Sequence, residues 1–304
     1  MIDILQLANL RPEIQAELEK QYRVHKKDAL DQVAGQIRGI ATNGHHGPDA
    51  ALIDRLPKLE VIAAGSVGYD NIDVEYARSK GIPVTNTPDV LNDDVADLAI
   101  ALMTMTARRL VASDRHVRDG KWTKGDYPLA RRASGKRVGI LGMGRIGRAI
   151  ARRAEAADNS IVYHTRRPVA DVPYRHYPDL VDMARDVDFL IAILPATPQT
   201  NKIVSRAVLE ALGPDGIFVN VARGAVADED ALVELLQAGK LGGAGLDVFA
   251  QEPTVPEALL AMENVVLTPH VGSATFETRR AMSQLVLDNL NAHFAGKPLL
   301  TPIV

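Results

Sequence analysis

Short apolar runs and helix-period stretches alternate along all 304 residues. In the first third, the runs at 3–7, 39–41, 61–64 and 83–85 read as strands. Between them, 12–20, 49–55 and 74–80 carry the spacing of helices. A longer helix is predicted from 93 to about 118. It opens on Asn92, Asp93 and Asp94, a capping side chain followed by first-turn acids. Its body, from Val95 to Ala107, is apolar on nearly every side, the pattern of a buried helix. Further strands are predicted at 138–141, 160–163, 189–194, 217–221, 245–248 and 265–267, and a final helix at 275–294. No internal repeat or low-complexity segment interrupts this order. Strands alternating with helices predict an α/β fold built on parallel sheets.

Composition narrows the class without naming a chemistry. Hydrophobic residues make up 46% and charged residues 24%, ordinary for a soluble enzyme, and the length suffices for two domains. A net charge of −3 supplies no basic field for nucleic acid or an anionic membrane. The absence of cysteine excludes disulfides, thiolate ligands and thiol nucleophiles, and it fits a reducing, cytoplasmic setting. No metal site is expected. The first residues read as a strand rather than a signal peptide, and no run approaches the roughly 18 apolar residues of a membrane span. Residues 108–137 are locally basic and hold the one tryptophan, Trp122. They read as a solvated loop anchored by that aromatic, with a subunit contact as the alternative.

The strand at 138–141 runs into Gly142, Gly144 and Gly147, the spacing G-x-G-x-x-G, and a helical pattern follows at once. The first glycine permits a tight turn, the second lets backbone approach a pyrophosphate, and the third lets helix pack on strand. Arg145 and Ile146 then open the helix whose unpaired N–H groups face the phosphates. After the next strand, an acid would grip the ribose hydroxyls of NAD. Here the chain carries His164, Thr165, Arg166 and Arg167 instead. A guanidinium pair binds a 2′-phosphate, which favours NADP(H) while still admitting NAD(H). A solvated surface pair is the competing reading of the two arginines.

Three polar residues stand just after predicted strands, on the side where open α/β sheets bind ligands: Arg223, Glu252 and His270. Each alone reads equally as a cap or a rim residue. Beside a nicotinamide they form a coherent set. A histidine donates the proton that a developing alkoxide needs, a carboxylate orients and supports the imidazolium, and an arginine polarises a 2-oxo acid. Asp247, another strand-end residue, is a candidate holder of the nicotinamide carboxamide, or simply a cap. The turn holding Ser66, Val67 and Gly68 offers backbone N–H groups to a substrate carboxylate, or is a plain loop. The fingerprint lies mid-chain. A nucleotide domain of 95–275 is therefore expected, inserted into a substrate domain of 1–94 and 276–304.

Six segments converge on one family. They are Gly65-Ser-Val-Gly-Tyr-Asp-Asn-Ile-Asp73, Asn86-Thr-Pro-Asp-Val-Leu-Asn-Asp-Asp-Val-Ala-Asp-Leu-Ala99, the glycine fingerprint, Asn220-Val-Ala-Arg-Gly224, Gly243-Ala-Gly-Leu-Asp-Val-Phe-Ala-Gln-Glu-Pro253 and Thr268-Pro-His-Val-Gly-Ser273. From end to end the chain resembles the D-2-hydroxyacid dehydrogenases, and its closing residues look most like the glyoxylate/hydroxypyruvate and hydroxyphenylpyruvate reductases. The resemblance implies two Rossmann-like or flavodoxin-like domains. It implies Arg223, Glu252 and His270 as the catalytic set, with His270 as acid/base, and Val67 and Gly68 at the substrate carboxylate. It places Asp247 near the nicotinamide and implies a homodimer formed through the nucleotide domains. The expected activity is NADPH-preferring reduction of short 2-oxo acids, glyoxylate and hydroxypyruvate, to D-2-hydroxy acids. One alternative is a bulkier substrate of the hydroxyphenylpyruvate or 2-ketogluconate type. Another is a nucleotide-sensing, corepressor-like binding protein, which the intact catalytic set disfavours.

Overall fold

The computed structural model describes residues 1–304. The chain divides into two compact units, Met1–Leu91 with Ser273–Val304, and Asn92–Gly272. The first unit is a five-stranded parallel sheet in the order β2-β1-β3-β4-β5. Its strands are β1 (Ile2–Gln6), β2 (Tyr22–Lys26), β3 (Ile37–Thr42), β4 (Val61–Ala64) and β5 (Val84–Thr85). Helices α1 (Pro12–Gln21), α2 (Leu30–Val33), α3 (Ala50–Asp54) and α4 (Val74–Ser79) connect them. Neighbouring strand residues divide between two cores. Ile4, Ala41, Val61 and Ala63 join one, while Leu5, Ile40, Ile62 and Ala64 join the other. Both faces of the sheet are therefore covered, as a parallel sheet requires.

The second unit opens with α5 (Asn92–Ala107) and α6 (Leu110–Arg118). Its seven parallel strands run in the order β12-β11-β10-β9-β6-β7-β8. They are β6 (Arg137–Leu141), β7 (Ser160–His164), β8 (Arg175–His176), β9 (Phe189–Ala192), β10 (Ile217–Asn220), β11 (Gly243–Leu246) and β12 (Val265–Leu267). Helices α7 (Arg145–Glu155), α8 (Leu180–Asp186), α9 (Arg206–Leu212), α10 (Glu229–Gln237) and α11 (Glu257–Leu260) complete it. The chain then returns to the first unit in α12 (Phe276–Phe294), capped by the Thr275 hydroxyl. Glycine governs one approach in the second unit. A Cβ on Gly245 would lie 2.9 Å from Leu102 Cβ, and one on Gly243 would lie 2.9 Å from Thr106 Cγ2. Ala244 and Leu246 point the other way, into the main core. The alternation Gly-Ala-Gly-Leu thus seats buried α5 directly on β11. Across the other side of α5, Arg153 on α7 bonds both Asp93 and Asp97.

Several expectations change. The helix expected over 93–118 is two helices, broken where Arg109 turns left-handed at φ 50°. The sequence carries no glycine or proline there. The break falls where burial stops, since α5 is lined with buried residues and α6 has none. Trp122 anchors nothing within its unit, being 65% exposed. Strand β2 went unread because a sheet-edge strand is polar enough to resemble a loop. The unit boundaries fall at 91/92 and 272/273, where 94/95 and 275/276 were expected. Residues 92–94 form the first turn of α5, and the Gly272 N–H is bound by Asp247 of the second unit. No helix is long and apolar enough to cross a membrane.

Candidate active site

The turn after β6 shows why each fingerprint glycine is needed. Gly142 has φ 107°, and a Cβ there would lie 2.2 Å from the Ile193 carbonyl oxygen. A Cβ on Gly147 would lie 2.1 Å from the Gly142 carbonyl oxygen, so this glycine lets α7 begin against the turn. Gly144, the N-cap of α7, borders open space on its Cβ side. Arg145 and Ile146 form the first helical positions behind it. A bare backbone ledge, a helix N-terminus and no acidic side chain in its first turn together fit a pyrophosphate. At the end of β7, Arg166 and Arg167 are exposed, and Thr165 donates its hydroxyl to the Arg167 carbonyl at 2.6 Å. The nicotinamide dinucleotide implied by the sequence therefore finds here a turn and helix start whose residues suit its pyrophosphate.

Strands β10, β11 and β12 are neighbours in the sheet, so the turns at their carboxyl ends adjoin. Arg223 follows β10. Its turn is held by buried Asn220, whose Oδ1 accepts from Ala222 N and whose Nδ2 donates to the Arg223 carbonyl, both at 3.1 Å. The next residue, Gly224, touches the turn after β11, since a Cβ there would lie 1.9 Å from the Phe249 carbonyl carbon. Glu252 stands in that turn, where Oε1 accepts from Phe249 N at 3.1 Å. Its other oxygen, Oε2, meets His270 Nδ1 at 2.7 Å. His270 follows β12 in the left-handed region at φ 53°, a conformation that must be held by its surroundings.

Asp247 supplies that hold. Its side chain is 2% exposed. Oδ1 accepts from the Thr268 hydroxyl at 2.7 Å and from Val271 N at 2.8 Å, and Oδ2 accepts from Gly272 N at 2.9 Å. The Asp247 carbonyl accepts from His270 N at 2.8 Å. Burial pushes the Asp247 carboxyl above its usual range, while these hydrogen bonds and the nearby His270 pull it back. Of the two roles the sequence offers Asp247, a holder of the nicotinamide carboxamide or a strand-end cap, these contacts are those of the cap, which holds the turn that carries His270. Asn220 and Thr268 escaped sequence reading, although an asparagine three residues before an arginine at a strand end is a recognisable turn former.

In the first unit, the turn after β4 holds Ser66, Val67 and Gly68. Its three carbonyls are each occupied, by Thr87 N at 2.8 Å, Asn86 Nδ2 at 3.0 Å and the Ser66 hydroxyl at 2.7 Å. With its acceptors engaged, the turn has N–H groups to present to an anion.

Replacing Asp247 by Asn leaves a side-chain donor facing either the Gly272 N–H or the Val271 N–H. The expected cost is about 1.5–3 kcal/mol of stability, the scale of a hydrogen bond to a charged group, read from the urea unfolding midpoint. Turnover is expected to fall about tenfold or more, because a factor of ten needs only about 1.4 kcal/mol of misplacement at His270.

Comparison with known proteins places the chain in a family. The family description "D-isomer specific 2-hydroxyacid dehydrogenase, NAD binding domain" matches residues 100–272. Hydroxyphenylpyruvate reductase of Plectranthus scutellarioides is 48% identical, covering 100% of this chain and 99% of its own. A glyoxylate/hydroxypyruvate reductase of Arabidopsis thaliana is 49% identical over the same shares. The NADPH-dependent glyoxylate/hydroxypyruvate reductase of Sinorhizobium meliloti, solved with NADP and malonate, superposes with a TM-score of 0.94 at 46% identity, covering 100% of this chain and 97% of that one. The chain belongs to the D-isomer specific 2-hydroxyacid dehydrogenase family and is an NAD(P)-dependent 2-oxo acid reductase of the glyoxylate/hydroxypyruvate reductase type.

Proposed function

We propose that the protein reduces short 2-oxo acids, glyoxylate and hydroxypyruvate above all, to D-2-hydroxy acids, with NADPH as the preferred reductant. The 2.7 Å contact between His270 Nδ1 and Glu252 Oε2 carries this reading. With Glu252 ionised, Nδ1 carries hydrogen and Nε2 is the nitrogen that exchanges a proton. When bound, the reduced nicotinamide supplies the hydride that the 2-oxo carbon takes up. His270 gives the Nε2 proton to the carbonyl oxygen as negative charge grows there, and Glu252 stabilises the imidazolium beforehand. Arg223 draws electron density from the carbonyl and pairs with the adjoining carboxylate. The N–H groups of the turn Ser66, Val67 and Gly68 are proposed as a carboxylate seat. The 48% identity to a hydroxyphenylpyruvate reductase favours a second, bulkier substrate reading on the same chemistry.

The cofactor preference rests on Arg166 and Arg167, which are exposed and have no carboxylate partner. The NADPH dependence of the Sinorhizobium meliloti relative supports it. A homodimer through the second unit is also proposed. Leu110, Val111, Val117, Trp122 and Leu129 are all exposed within one stretch of that unit, and Leu129 is 99% exposed. Five exposed apolar side chains concentrated in one stretch favour an interface there.

Three outcomes are expected. His270→Gln lowers kcat on hydroxypyruvate by about 10²–10⁴ with KM little changed; unchanged turnover removes His270 from proton transfer. Across glyoxylate, hydroxypyruvate, hydroxyphenylpyruvate and 2-ketogluconate, kcat/KM is highest for the first two and higher with NADPH than with NADH. Arg166→Gln with Arg167→Gln erases that cofactor difference, and a wild type that prefers NADH refutes the assignment. By light scattering the protein has about twice its chain mass of 32.9 kDa, and Trp122→Asp with Leu129→Asp returns the monomer.

A further inference from the structure

The two arginines proposed to meet the 2′-phosphate lie on a short exposed loop, 165–171, between β7 and β8. An exposed loop of this kind is ordinarily mobile. This one is fastened from three directions by side chains that hydrogen-bond to its backbone. His176, on β8, has Nε2 at 2.9 Å from the Thr165 carbonyl. A carbonyl only accepts, so Nε2 carries the hydrogen. Tyr163, on β7, accepts at its hydroxyl from Val169 N at 3.0 Å. Arg148, on α7, donates from Nη2 to the Ala170 carbonyl at 3.1 Å and from Nη1 to the Asp171 carbonyl at 3.3 Å. Within the loop, Thr165 closes on the Arg167 carbonyl, and Pro168 restricts the backbone of Arg167.

The fasteners themselves are braced. The Tyr163 and His176 rings pack at 5.2 Å, and His164 stacks on His176 at 6.3 Å with 13° between planes. His164 Nδ1 in turn bonds the Tyr177 carbonyl at 2.8 Å. The loop is thus held at 165, 169, 170 and 171, while Arg166 and Arg167 keep exposed guanidinium groups without ion pairs. Holding the backbone while leaving the cations unpaired is what a preformed anion site requires, because less order is then lost on binding.

We infer that His176, with Tyr163 and Arg148, is a positioning residue that sets 2′-phosphate recognition through the loop backbone. The inference rests on the reading of Arg166 and Arg167 given above. None of the three side chains need touch the ligand, and the effect belongs to the 2′-phosphate rather than to the nucleotide as a whole.

The test is calorimetric, on the full-length protein, with adenosine 2′,5′-bisphosphate and 5′-AMP as probes. Wild type is expected to bind the bisphosphate more tightly, and Arg166→Gln with Arg167→Gln to abolish the difference. His176→Leu is expected to weaken the bisphosphate about five- to tenfold and 5′-AMP less than twofold, the scale of one lost hydrogen bond. His176→Gln, which restores a donor, recovers most of the loss. Tyr163→Phe, which removes a single hydroxyl, shows a smaller shift of the same selectivity and serves if His176→Leu does not fold. Equal weakening of both probes by His176→Leu, or of neither, overturns the clamp while the arginine reading stands. A wild type that does not distinguish the probes overturns both.

Discussion

The turn that carries His270 depends on one buried carboxylate. Asp247 is enclosed at the end of β11, yet three donors from residues 268–272 reach its oxygens and its own carbonyl takes the His270 N–H. A charge removed from water is costly unless its lone pairs are met, and here the residues that meet them are those of the catalytic turn. The same bonds hold His270 at a positive φ, a conformation it would not keep unaided. Satisfying one buried charge and aiming one imidazole are a single arrangement.

Close backbone approach does the remaining work of assembly. Gly224 brings the Arg223 turn against Phe249, beside the Glu252 turn. Gly243 and Gly245 let α5 lie directly on β11, the strand that leads into Asp247. These glycines serve space more than flexibility, since none of the three has a positive φ. At the opposite edge of the sheet, side chains of β7, β8 and α7 order the loop of Arg166 and Arg167. Both ends of the second unit thus follow one rule, in which scaffold residues bind loop backbone and leave the functional side chains available.

Much of this was legible in the chain. The α/β class, the strands at 61–64 and 265–267, and the fingerprint glycines follow from periodicity and turn chemistry, which are local. Arg223, Glu252 and His270 were candidates because strand ends are readable from apolar runs. The edge strands β2 and β8 were not legible, because a polar edge strand lacks the apolar signature of a buried one. The helix break at Arg109 was hidden for a related reason: it comes from the end of burial, with no residue that breaks helices by itself.

The sequence by itself determined which residue types stand at which strand ends, and that a glycine-rich turn opens a helix. Those features are written in spacings of a few residues. Tertiary structure alone decided that Glu252 reaches His270, that Asp247 faces the 268–272 turn and that His176 reaches back to Thr165. Each joins residues brought together by strand order and register or by the course of a turn, and no local pattern encodes either.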